Sequence, residues 1–401
     1  MRITVDILAK SFLATMLVFL PVLAMAADAE VVKKAEVPAV SYTITNLGTL
    51  GGRGSTANAI NNAGQIVGFA ETNQPFPPPP TGPGRVPITR AMQVADAFLY
   101  SDGKMQDLGT LGGEGDAGSV GNAINASGQV VGWAKTSANA EHAFIYGNGK
   151  MQDLGISSKI VSANAINAHG DVVGFWMTGM VGGNGPEITF VQAFLCSGGK
   201  TQMVGTLGGN TSRANGINDA GQIVGSASLS NGESHAFLYS NGKMQDLGTF
   251  GGKESEATAI NAKGQVAGWA HTPNNFRHAF LFHDGKMEDI GTLGSKNSWA
   301  LAINLSGQVV GFSENASDED HAFLYQDGKM QDLNVVVGAE RLASVEIKVL
   351  AYATSLNDRG QIVGYAKDTR GNRIAFLLTP ISGATPSSSP PINSTKQPTA
   401  P

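Results

Sequence analysis

The stretch Ala259-Ile-Asn-Ala-Lys-Gly-Gln-Val-Ala-Gly268 decides the fold, because the chain writes it seven times. Its copies are anchored at Ile60, Ile124, Ile166, Ile217, Ile260, Ile303 and Leu356, and an Asn follows at once in each. A Gly stands three residues after that Asn every time, from Gly64 to Gly360, and a second Gly four residues later, from Gly68 to Gly364. Six copies place Gln before the closing apolar pair; Asp171 is the exception. A second phrase trails each copy, clearest as His235-Ala-Phe-Leu-Tyr-Ser-Asn-Gly-Lys-Met-Gln-Asp-Leu-Gly248. The closest anchors are 42 and 43 residues apart, which is the period of a four-stranded propeller blade.

Turn chemistry divides each repeat into strands. Asn-x-x-Gly is a four-residue turn, in which the Asn side chain can bond backbone two residues on and Gly supplies the positive φ. It joins a first strand such as Asn122–Asn125 to a second such as Gln129–Ala134. The third strand is His142-Ala-Phe-Ile-Tyr146 or its equivalent. Asp102-Gly103, Asn148-Gly149, Asn241-Gly242, Asp284-Gly285 and Asp327-Gly328 then mark two-residue hairpins into a fourth strand. Four short antiparallel strands, repeated seven times, predict an all-β, seven-bladed β-propeller.

The ends explain how the ring closes. The seventh repeat stops after its third strand, at Ile374–Pro380, while Ser41–Gly52 matches the fourth-strand segment Lys104–Gly113. An N-terminal strand completing the last blade closes the ring and covers two otherwise open sheet edges. The propeller is thus expected over 41–380.

Before it, the apolar run Phe12–Leu23 and the Ala24-Met25-Ala26 sequence predict a cleaved secretory signal over 1–26, followed by a linker over 27–40. The Ser, Pro and Thr-rich 381–401 reads as a disordered tail. The expected location is secreted, extracellular or periplasmic, with no membrane insertion, since the apolar run falls short of a span. A net charge of −5 without a basic stripe gives no reason to expect a nucleic-acid partner. Cys196 stands alone, so disulfides contribute nothing and a monomer held by its core and its closure is expected.

The His-Ala-Phe triplets at 142, 235, 278 and 321, with the Ile-Asn-x-x-Gly-Gln-Val-Val-Gly and Asp-Leu-Gly-Thr-Leu-Gly-Gly phrases, resemble the HAF-repeat family of extracellular bacterial proteins. The resemblance covers nearly all of 41–380, and Asp96, Gln192 and Ile374 depart from the triplet. It implies export and a propeller-type repeat. It brings no activity and no catalytic residues.

Three columns carry the remaining candidates. His142, His235, His278 and His321 hold one equivalent position, each with an Asp eleven residues on: Asp153, Asp246, Asp289 and Asp332. Equivalent positions in neighbouring blades are too far apart for the roughly 2 Å ligand distances of a metal site. A His–Asp hydrogen bond closing each hairpin is therefore expected, and no metal; block 1, with Asp96 and Asp107, does not fit the pairing. Phe69, Trp133, Phe175, Trp269, Phe312 and Tyr365 follow the second Gly, with Ser226 the exception; packing between blades is the expected role, and stacking on sugar rings the alternative. Finally, one column at the entry to the first strand does not repeat: Thr56, Val120, Ser162, Arg213, Glu256, Trp299 and Tyr352. Ordinary surface drift accounts for such variation. Arg213, Glu256, Trp299 and Tyr352 are nevertheless the candidate binding residues, expected to ring the channel mouth.

No nucleophile elbow, metal-ligand cluster or phosphate loop is present, so no cofactor is expected. The expected function is a secreted non-enzymatic binding or scaffold module for a glycan, peptide or protein. It would use the rim that carries every insertion: Glu71–Ala95, Met177–Phe190 and Asn334–Leu350. The alternative is an extracellular polysaccharide hydrolase or lyase with paired carboxylates at the channel mouth.

Overall fold

The structure, a computed structural model, describes residues 41–75, 93–113, 118–158, 161–181 and 188–381. The expected signal and linker, the tail beyond Ile381 and the proline-rich segment Phe76–Pro87 lie outside the described residues. Among those described, no helix is long and apolar enough to cross a membrane.

Seven four-stranded antiparallel sheets form a ring, a seven-bladed β-propeller. Blade 1 runs Gly51–Ile60, Ile66–Pro75, Gln93–Ser101 and Lys104–Asp107. Blade 7 is assembled from both ends: Ile347–Leu356, Ile362–Asp368 and Arg373–Pro380 are completed by Tyr42–Asn46. The closing register sets Tyr42 opposite Pro380 and Asn46 opposite Phe376. Tyr42 is buried there, so closure adds a core side chain as well as a row of hydrogen bonds.

The third-to-fourth hairpins have positive φ at both central residues, as in Asn241 (52°) and Gly242 (75°), the geometry whose twist matches the flanking strands. In every blade the first strand shifts register at the same repeat position, for example between Ala300 and Ala302. The bulge drives the carbonyl of the preceding residue against the second strand. A Cβ on Gly311 would meet the carbonyl of Trp299, and the same holds from Gly68 to Gly364. That close approach is why the second Gly of the repeat never varies within the chain.

The core lies between blades. Phe98, Phe144, Phe194, Phe237, Phe280, Phe323 and Phe376, the aromatic of each triplet, are fully buried, each contributing roughly 2–3 kcal/mol by removal from water. Ala279 and Leu281 of blade 5, for instance, pack in one cluster with Ala300, Val309 and Phe323 of blade 6.

Two insertions have structure of their own. In blade 3 the second strand runs on through 177–181 and the third begins at 188, with Met177 opposite Val191 and Val181 opposite Ile188. Between blades 6 and 7 the chain forms two one-turn helices, Leu333–Val337 and Ala339–Ala343. Asp332 caps the first by accepting from the Asn334 N–H. Leu333, Val337 and Leu342 are buried in a cluster with Tyr42 and Leu350.

Candidate functional site

The two rims of the ring are built differently. On the tight-turn rim, the repeated Asn does far more than shape its own turn. Asn61 Nδ2 donates to the carbonyl of Asn125, Asn125 to that of Asn167, and the series continues through Asn218, Asn261, Asn304 and Asn357. Asn357 then donates to the carbonyl of Asn61 at 3.0 Å, closing a seven-membered belt. The second Nδ2 hydrogen goes to the carboxamide four residues on, as from Asn261 to Gln265 Oε1 at 2.8 Å, or to the Asp171 carboxylate in blade 3. Oδ1 accepts the backbone N–H of that same residue. Both ends of these buried carboxamides are thus used, which locks this rim.

One turn inward, Asn58, Asn122, Asn164, Asn215, Thr258 and Thr354 donate in the same sense to the next blade's backbone. Leu301 takes that position in blade 6 and offers no donor. The seam from blade 6 to blade 7 is the one filled by the helical insertion.

The long-loop rim carries the candidate residues. The non-repeating column and the aromatic column are cross-strand partners: Thr56 faces Phe69, Arg213 faces Ser226, Glu256 faces Trp269, Trp299 faces Phe312 and Tyr352 faces Tyr365. They form one surface, and the column engages the blade faces instead of standing free around a channel mouth. Thr56 is buried. Glu256 accepts from Asn215 Nδ2 at 2.8 Å. Arg213 is exposed and lies 4.6 Å from the centroid of Phe175 in the preceding blade.

Trp299 and Tyr352 belong to a continuous ladder across blades 5 to 7. Arg277 sits over Trp269 at 5.0 Å and Trp299 at 5.8 Å. Trp299 stacks on Phe312 at 4.5 Å, Phe312 meets Tyr352 of the next blade at 3.9 Å, and Tyr352 stacks on Tyr365 at 4.6 Å. Arg373 caps the far end, 4.2 Å over Tyr365. Such pairs are worth about 0.5–1.5 kcal/mol each beyond their buried area. The ring faces inside the ladder are taken by one another, which leaves edges and the terminal cation for any ligand. The Tyr352 hydroxyl donates to Asp320 at 3.0 Å; burial first, then Tyr365 and Asp320, raise its pKa.

Beside the ladder lies a cleft of about 840 Å³ between blades 6 and 7. It is lined by Asp318, Glu319 and Asp320, by Leu342 of the second short helix, and by Lys348 and Lys367.

The four histidines meet their aspartates: His142–Asp153 at 2.6 Å, His235–Asp246 at 2.9 Å, His278–Asp289 and His321–Asp332 at 2.7 Å, each through Nδ1. Each Asp also accepts the backbone N–H two residues on. Among the described residues no group of His, Cys, Asp or Glu is arranged to hold a metal ion. In blade 1, Asp96 takes the histidine's place with one buried carboxylate oxygen that has no hydrogen-bond partner. Burial, with Asp107 beside it, pushes its pKa up to about 6.

No family model and no curated protein matches the chain. Solved structures do. It is similar to TolB from Acinetobacter baumannii (13% identity over 64% of each chain, TM-score 0.39). It is also similar to YCF48 bound to D1 peptide (11% identity over 86% of this chain and 97% of that one, TM-score 0.44). The acylaminoacyl peptidase of Pyrococcus horikoshii matches at 10% identity and a TM-score of 0.50, over 82% of this chain. The chain spans about half of that peptidase, and a likeness at such identity reaches the fold alone.

Proposed function

We propose that the protein is an exported, non-enzymatic binding or scaffold module of the HAF-repeat type, which takes a glycan, peptide or protein partner on its long-loop rim. The observation that carries this reading is the asymmetry of the two rims. One is locked by the Asn belt and has no insertion in any blade. The other carries both structured insertions, the cleft, and Arg213 and Arg373 exposed over aromatic rings. Variation confined to one face of a rigid scaffold is the usual arrangement for recognition.

The hydrolase or lyase alternative calls for a pair of carboxylates facing each other at the channel mouth. The entry column supplies one, Glu256, already held by Asn215. A glycan and peptide array on the purified protein tests the reading. Ligands found there are expected to be weakened by Lys367→Glu in the cleft wall and to be indifferent to Asn62→Ala on the tight-turn rim. The reverse pattern would place the site on the other face.

A further inference from the structure

The cation–aromatic contacts of the described residues all fall on one rim. Arg213 covers Phe175, Arg277 covers Trp269 and Trp299, Lys296 covers Phe276 and Arg373 covers Tyr365. The surroundings of the three guanidinium groups then differ in an informative way. Arg277 is half-buried and donates from Nε to His271 Nε2 at 3.1 Å, so it is part of the scaffold. Arg213 and Arg373 are exposed, and among the described residues no carboxylate lies within ion-pair range of either.

A guanidinium laid on a ring keeps its in-plane N–H fork free while its orientation is already fixed. Little side-chain entropy is left to lose when a planar, two-oxygen anion docks, and a carboxylate matches that fork in shape and charge.

The neighbours narrow the class of anion. Glu254, Glu314 and Asp318–Asp320 stand on the same rim. They would repel a double-stranded nucleic acid, which carries one negative charge per roughly 1.7 Å of helix axis. A single chain with one carboxylate per sugar ring carries fewer charges per unit length than that duplex, so the same acids oppose it less. The loops between second and third strands also offer neutral donors and acceptors suited to hydroxyl groups: Ser230, Asn275 and Ser317.

We propose that the long-loop rim binds a uronic-acid polysaccharide, with the Arg213 and Arg373 guanidinium groups, held on Phe175 and Tyr365, receiving its carboxylates. This names the ligand class of the binding rim and rests on that reading. Two cations on different blades require a ligand several sugars long, so affinity rises with oligosaccharide length.

The test is calorimetric titration of the purified full chain with oligogalacturonates of increasing length, beside a neutral glucan, poly-L-glutamate and a single-stranded oligonucleotide. Oligogalacturonate is expected to bind in a length- and salt-dependent manner, and the neutral glucan not to bind. Arg213→Gln and Arg373→Gln should each weaken it roughly tenfold, the size of one lost charge-assisted pair, with a melting temperature no more than about 2 °C below the parent's, the size of one lost exposed cation–aromatic contact. Arg373→Lys, which keeps the charge but loses the planar fork, should recover less than half of that loss on a logarithmic scale.

Binding of poly-L-glutamate in preference to the uronate would overturn the sugar class, as would equal binding of the oligonucleotide, while leaving the rim as the site. Absence of oligogalacturonate binding, or arginine variants that bind like the parent chain, would overturn the proposal itself. The binding-rim reading is judged separately, by the array ligands and Lys367→Glu.

Discussion

Asn261→Ala is the most direct perturbation of the belt that joins the blades. Asn261 Nδ2 donates to the Asn304 carbonyl at 2.9 Å and to Gln265 Oε1 at 2.8 Å, while Oδ1 accepts from the backbone of Lys263 and Gln265 at 3.0 Å. Truncation frees all four partners. Lys263 is exposed and recovers a water, and the Asn304 carbonyl keeps the Gly307 N–H. The Gln265 N–H, the Gln265 Oε1 and the second lone pair of Asn304 are left inside the turn. At about 1 kcal/mol each, the low end for unmet buried groups, the expected loss is about 3 kcal/mol. With an unfolding entropy of roughly 2.1 cal/mol/K per residue, a ring of about 340 residues should melt about 4 °C lower. Asn261→Asp is the sharper version. It is isosteric and keeps the acceptor, but it turns both donated bonds into oxygen–oxygen contacts, so it should cost at least as much at neutral pH. Urea titration read by circular dichroism gives both values. A parent-like midpoint for Asn261→Asp would refute the claim that the carboxamide belt, and not the turn alone, explains the repeated Asn.

The other predictions concern closure, the hairpin pairs and blade 1. Deleting residues 41–50 uncovers the outer edge of Arg373–Pro380 and removes buried Tyr42; aggregation or a melting point many degrees lower is expected, and an unchanged monomer peak in gel filtration would contradict closure. His235→Ala and Asp246→Ala should each cost about 1 kcal/mol, with the double variant well short of their sum, and a chelator should leave the melting point unmoved. Asp96 binds its proton more tightly folded than unfolded, since its pKa rises from 3.8 to about 6. Its contribution therefore favours the folded state below about pH 4 and is lost as pH rises through 6. Asp96→Asn should flatten that part of the stability profile, and Asp96→His, which gives Asp107 the partner found in four other blades, should raise stability at pH 7 by about 1 kcal/mol.

Much of the fold is written openly in the sequence. Asn-x-x-Gly and Asn-Gly turns mark strand ends because only certain residues accept the backbone angles required there, and a fourth strand displaced to the N-terminus can be matched by eye. What a repeat cannot show is its distance to the next repeat. The turn chemistry of Asn261 is local and legible, whereas its bond to Asn304 depends on how closely blades stand. The same limit hides that Trp299 and Phe312 form one surface. Their spacing is constant through all blades, but the bulge between Ala300 and Ala302 makes the pairing register unreadable without the backbone. For the same reason Arg213 and Trp299 look alike as entries in one variable column, although Trp299 is sandwiched in a ladder and Arg213 lies exposed on a ring. The insertion in blade 3 is only a length difference in sequence, whereas the pairing of 177–181 with 188–191 includes a register shift between Met177 and Gly179 that needs the backbone to be seen.

The proposed recognition face is one rim of the ring, the one that carries the long loops. Amide hydrogen exchange, measured on the full chain with and without the tightest ligand from the glycan and peptide array, tests this directly. Protection is predicted at 272–277, 315–320, 334–349 and 367–373 on the long-loop rim, with the Asn-x-x-Gly turns at 61–65, 218–222, 261–265 and 304–308 unchanged. Protection confined to those turns, with the long-loop rim exchanging as in the free protein, would contradict it.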